Sequence, residues 1–218
     1  MDTTFLSLLG FGFLLGVKHA FDADHIAAIS ALSKRNPSVT GLLWGFGHAI
    51  TLLIVGLIIL LLKITIPEKL ALSFEFIVGS MLIILGVKVL TTLNKSKIHF
   101  HKHKHGKDEH MHFHSHLIAK SHNHYHQPLL IGLVHGLAGS AALTLLVLST
   151  IGSILAGLFY IFIFGIGSMI GMIFVSNIIS LPFRFIANKF GRADKILRLS
   201  TSLLSVTMGF SIIYQMLK

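Results

Sequence analysis

Residues 18–26 read Lys18-His19-Ala20-Phe21-Asp22-Ala23-Asp24-His25-Ile26, which places four ionisable side chains in seven positions inside an apolar run from Thr4 to Leu32. An ionisable group at membrane depth costs roughly 2.5–3.5 kcal/mol on insertion scales, so such groups are rare without a partner or a wet cavity. Four together are poorly explained as packing. Two carboxylates and two imidazoles offset one another when a divalent cation lies among them. Neutral imidazole suits Ni²⁺, Co²⁺, Cu²⁺ and Zn²⁺, whereas carboxylates alone favour Mg²⁺ or Ca²⁺. On a regular helix His19, Asp22 and His25 fall at about 0°, 300° and 240°, on one face, and Asp24 falls at about 140°. Either Asp24 has a different partner or the helix is distorted between residues 19 and 25.

Working outward, the chain has 218 residues, of which 53% are hydrophobic and only 12% charged. A soluble domain carries about twice that charged share, so a cytosolic enzyme and a nucleic-acid module are both disfavoured. The expected fold class is an all-α integral membrane protein with six transmembrane helices. Six apolar segments have spanning length: Thr4–Leu32, Val39–Leu62, Leu70–Leu93, Pro128–Thr150, Ser153–Leu181 and Ile196–Leu217. The first lacks a basic start and a cleavage-like site, and reads as a structural helix. With no cysteine in the chain, disulfides, thiol relays and cysteine metal sites are excluded.

Loop charge sets the orientation. The first, third and fifth connections hold thirteen basic residues, among them Lys34, Arg35, Lys95, Lys107, Arg184 and Arg192, against Lys63, Lys69 and Lys218 on the other face. The rich side belongs in the cytoplasm. The expectation is a multi-pass protein of the cell membrane, with both termini outside and the long third connection inside.

The halves echo each other. Gly16-Val17-Lys18-His19 resembles Gly132-Leu133-Val134-His135, Gly45-Phe46-Gly47-His48 resembles Gly165-Ile166-Gly167-Ser168, and Leu85-Gly86-Val87 matches Met208-Gly209-Phe210, at offsets of 116, 120 and 123. This predicts a three-helix repeat over 1–93 with the metal-site motif, a His-rich disordered cytoplasmic loop over 94–127, and a second three-helix repeat over 128–218. Units of three spans must be inverted relative to each other, a plan common among secondary transporters with a site near the midplane. Gly41 with Gly45, and Gly167 with Gly171, have the spacing of close helix packing.

Two more histidines lie within spans, His48 and His135, the latter at the position repeating His19. The expected metal-site residues are thus His19, Asp22, Asp24, His25, His48 and His135. Glu75, near the start of the third span, can either attract cations or serve as a plain interfacial carboxylate. Residues 99–126 hold 11 of the 15 histidines, an alternating pattern that chelates metal without selecting one. No Gly-rich loop ending in Gly-Lys-Ser/Thr occurs, and no His-Glu-x-x-His, so neither ATP hydrolysis nor zinc proteolysis is expected.

His19 to Ile26 resembles the signature of the nickel/cobalt transporter (NiCoT) family: a His, four residues, then Asp-His. Gly47-His48-Ala49 resembles that family's second motif. The resemblance implies that His19, Asp24 and His25 are required for metal transport and that His48 contributes to selectivity or affinity. Family members are usually described with eight helices, against six here. The family's later Gly-Phe-Asp-Thr-like run is replaced by His135-Gly136-Leu137-Ala138-Gly139-Ser140, closer to the shorter branch associated with urease or nickel superoxide dismutase. The His-rich loop is similar to that of the related efflux proteins. The expected function is a secondary transporter importing Ni²⁺ and Co²⁺, not an enzyme, with no cofactor beyond the transported ion. Its expected partners are that ion and membrane lipid, without nucleic acid. The alternatives are an efflux protein for the same ions and a membrane metal-binding protein that does not translocate.

Overall fold

Where the sequence suggests one segment from Thr4 to Leu32, the computed structural model has two helices, α1 (Thr3–His19) and α2 (Ala23–Leu32), bent by 54° at the break. The Phe21 amide donates to the Lys18 carbonyl at 2.9 Å and the Asp22 amide to the His19 carbonyl at 3.0 Å, a tight winding that ends α1. Neither Pro nor Gly lies at the break. Charge placement accounts for it: Lys18 and His19 close the last turn of α1, where the helix end is negative. Asp22 stands just ahead of α2, its carbonyl accepting the Ile26 amide at 3.0 Å, and Asp24 lies in the first turn. Aspartate is favoured at both positions.

The structure describes residues 3–32, 36–94, 101–105, 108–112, 126–151, 153–186 and 191–217. Asn36 precedes α3 (Pro37–Leu62), whose first residue is a proline preset for helix entry. α3 ends at Lys63, in the left-handed region at φ 51, with its amide bonded to the Ile59 carbonyl. α4 spans Glu68–Asn94, α5 His126–Thr150, α6 Ile154–Ile186 and α7 Gly191–Met216. Among the described residues α3, α4, α6 and α7 are long and apolar enough to cross a membrane, and the broken pair α1–α2 makes a fifth span if counted as one. The expected segment Pro128–Thr150 falls on α5.

Within the connection expected to be disordered, β1 (His101–His105) and β2 (Asp108–His112) form an antiparallel hairpin. Its register pairs His101 with His112, His103 with His110 and His105 with Asp108. The rest of that connection lies outside the described residues.

α3 is the hub, with α5 and α6 along it; α1 lies along α6, α4 along α7, and α2 reaches α7. Trp44, Ile29, Leu82 and Met172 anchor one buried cluster, and Leu52, Tyr160, Ile161 and Phe164 a second. Leu14, Ile84, Leu155 and Phe185 are each more than 60% exposed. A rim of bare apolar side chains on this scale is what lipid solvates, and the molecule is a multi-pass membrane protein. Lipid gives no hydrophobic push between helices, so close backbone approach and hydrogen bonds hold them. A Cβ on Gly16 would stand 2.9 Å from the Ser168 amide nitrogen, and one on Gly132 2.7 Å from Trp44 Cδ1. The expected packing glycines behave alike: Gly41 and Gly45 face α6, and Gly167 and Gly171 face α1. Hydroxyls bridge helices as well. Thr51 donates to the Leu133 carbonyl (2.9 Å), Ser176 to that of Pro37 (2.8 Å) and Ser205 to that of Leu82 (2.8 Å).

Candidate metal centre

The break in the first span turns His19, at the end of α1, toward His25, near the start of α2, with ring centroids 4.5 Å apart. α3 brings His48 to 5.2 Å from His19 and 5.4 Å from His25, and α5 brings His135 to 4.2 Å from His25. His25, His48 and His135 are each buried to 1% exposure or less. Two groups of donor atoms converge to within 4.8 Å of one another: His19, His25 and His48, and Asp24, His25 and His135. Donors on opposite sides of an ion bound at about 2.1 Å lie about 4.2 Å apart. Small side-chain adjustments close either group on a transition metal.

The carboxylates set the rings. His19 Nδ1 donates to Asp22 Oδ2 at 2.8 Å. Asp24 Oδ1 accepts from His25 Nδ1 at 3.0 Å and from the His25 backbone amide at 2.9 Å, and Asp24 Oδ2 accepts from His135 Nε2 at 2.9 Å. A carboxylate on one nitrogen fixes the tautomer and leaves the other nitrogen's lone pair free for a metal. His25 Nε2, both nitrogens of His48 and His135 Nδ1 are buried without a hydrogen-bond partner among the described residues. Buried unpaired polar atoms cost about 1–3 kcal/mol each, and a cation bound among these nitrogens supplies the missing partner.

Aromatic side chains wall the centre. Trp44 stacks on His25 at 5.4 Å and meets His135 edge-on at 5.6 Å, and Phe164 lies 5.6 Å from His19. Water reaches the centre at the break between α1 and α2, where the side chains of His19, Asp24 and Asp22 are 21%, 28% and 51% exposed.

All six expected residues gather here. Both alternatives raised for Asp24 hold: the helix is distorted, and Asp24 has its own partner in His135. Glu75 is exposed and belongs to neither group. Two contributors escaped the sequence reading. Trp44 had no spacing to mark it. Thr51, one turn beyond His48, ties α3 to α5.

The family model described as high-affinity nickel-transport protein (NicO) matches residues 5–217. A urease accessory protein, UreH, from Bacillus sp. (strain TB-90) is 37% identical over 216 residues, covering 97% of this chain and 92% of the relative. The chloroplast protein FOR GROWTH AND FERTILITY 1 of Arabidopsis thaliana is 28% identical over 209 residues, 93% of this chain and 57% of that protein. A high-affinity nickel transport protein of Cupriavidus necator is 34% identical over 82 residues, 35% of this chain and 22% of its own length. No solved structure matches. A whole-length family match, together with an imidazole-rich centre buried among apolar helices, makes this chain a member of the high-affinity nickel-transport protein family.

Proposed function

We propose that the protein is a permease of the cell membrane that imports Ni²⁺, with Co²⁺ as a second substrate. The observation that carries this reading is the convergence of His19, His25 and His48, with the free nitrogens of His25 and His48 buried and unpaired. In this reading the three imidazoles bind the ion, Asp22 and Asp24 hold His19 and His25 in the binding tautomer, and His135 joins from the other half. Inward movement of two positive charges gains about 4.6 kcal/mol at 100 mV, inside negative, enough to drive accumulation without ATP.

The proposed architecture is six spans in two inverted three-helix units, with both termini outside and the His-rich connection in the cytoplasm. Reciprocal contacts support it. A Cβ on Gly16 meets the Phe164 carbonyl, and one on Gly132 meets that of Trp44; Gly132 follows Gly16 by 116 positions and Phe164 follows Trp44 by 120. Likewise Gly47 meets the backbone of Leu129 while Gly167 meets that of Phe13, at the same two offsets. In the third helices Gly86 meets the Ser202 carbonyl and Gly209 that of Gly79, at an offset of 123. Helix pairing obeys the same exchange, since α1 lies on α6 as α5 lies on α3. Two related units around one site favour rocking as the motion that opens it to alternate sides.

The test is accumulation of radioactive nickel in cells expressing the wild type and His19→Ala. Accumulation above empty-vector cells, lost on His19→Ala, is the expected result. Accumulation below empty-vector cells would mean efflux, and no change in either direction would refute transport of nickel.

A further inference from the structure

Resting on the transport reading above, we propose that the ion passes through two adjacent subsites that share the His25 ring. The first comprises His19, His25 Nε2 and His48. The second comprises Asp24, His25 Nδ1 and His135, the last carried on α5; each has two buried members and one partly exposed one, His19 at 21% and Asp24 at 28%.

The donors do not form one site. Each triad gathers within 4.8 Å, but the five residues do not fall into a single such group. The His48 and His135 rings stand 6.2 Å apart, with His25 between them at 5.4 and 4.2 Å. An ion bound at about 2.1 Å needs donors within about 4.2 Å of one another, which small adjustments achieve within either triad, and the proposal assigns one ion to one triad at a time. The two nitrogens of His25 face different surroundings, Nδ1 toward Asp24 at 3.0 Å and Nε2 buried without a partner.

The chemistry differs across the ring. The first subsite offers neutral imidazoles only, which suits capture and release of a dehydrated divalent ion. The second adds a carboxylate, whose charge holds a dication more firmly. Both oxygens of Asp24 are engaged, by His25 and by His135, so an ion enters the second subsite by displacing those hydrogen bonds. In the transfer His25 passes its Nδ1 proton to water at the partly exposed Asp24 and takes one from water at Nε2, while His135 gives up the Nε2 proton it shares with Asp24 and takes one at Nδ1. Each ring ends as its other neutral tautomer, and water gains as many protons as it loses. His135 and Asp24 come from opposite halves of the chain, so occupation of the second subsite draws α2 and α5 onto the same ion. It thereby couples the ion's advance to the movement of the halves.

The experiment is influx of radioactive nickel into vesicles containing the full-length protein, with KM and maximal flux measured separately. His48→Ala is expected to raise KM at least about tenfold. His135→Gln keeps a hydrogen bond to Asp24 but ligates poorly; it is expected to lower maximal flux at least about tenfold while KM changes less than about threefold. His135→Cys, which ligates nickel but bonds weakly to Asp24, is expected to recover flux. If His135→Gln matches the wild type, His135 serves only as a hydrogen-bond partner and the second subsite is refuted. If His135→Gln and His48→Ala both raise KM with maximal flux intact, a single site is at work and the relay is refuted, although transport stands. A wild-type chain that carries no nickel overturns the transport reading, and the relay with it. Should the Gln variant fail to insert, comparing His135→Cys with His135→Ser reads the same contrast.

Discussion

Gly132→Ala tests whether the centre depends on the contact between α5 and α3. The added methyl would stand 2.7 Å from Trp44 Cδ1 and 2.9 Å from its carbonyl carbon, with the carbonyl oxygen nearer still. Ordinary contact begins at 3.4 Å, so α5 must retreat by at least about 0.7 Å, and the obstacle is largely backbone that cannot swing aside. His135 lies three residues on, and its 2.9 Å bond to Asp24 would lengthen to about 3.6 Å, beyond hydrogen-bonding range. Overpacking of this kind costs about 1–3 kcal/mol, and misplacement approaching 1 Å at a reacting centre lowers rates up to about 10²-fold. The assay is initial nickel influx per inserted protein, alongside the thermal midpoint of aggregation in detergent. Gly10→Ala is the control, because nothing lies within 4 Å of its Cβ position, and it is expected to leave both quantities unchanged. Wild-type influx and stability in Gly132→Ala would refute the claim that this contact sets the site.

Asp22→Asn, which weakens the hold on His19 Nδ1, is expected to lower apparent nickel affinity about 10–100-fold, read from the KM of influx. Thr51→Val removes the hydroxyl bond to the Leu133 carbonyl and is expected to cost only about 0.6 kcal/mol, the usual worth of such bonds in membranes. That is a small drop in thermal midpoint with nickel influx retained.

The candidate site was legible as a cluster because charge in an apolar run is costly: His19, Asp22, Asp24 and His25 drew attention by standing where lipid-exposed sequence excludes them. The break between α1 and α2 was legible too, though only through a different feature of the same residues. Lys18-His19 is a helix ending and Asp22 a helix start, and a periodicity that assumes one continuous helix passes over that sign. The bond from Asp24 to His135 joins residues 111 positions apart, and no local spacing carries such a distance. Trp44 was hidden for another reason. Its position looks like any apolar position of α3, and only the approach of α2 and α5 turns it into a wall of the site.

That wall is optically distinct. Trp44 is the chain's single tryptophan, and its indole stacks on His25 with an interplanar angle of 29°. Light absorbed beyond the tyrosine band therefore excites one ring only, in contact with the proposed ligands. Ni²⁺ and Co²⁺ have partly filled d shells and drain such an excited state at short range. The unlabelled protein thus carries its own emission gauge, in which brightness falls as the centre fills and returns as the ion departs.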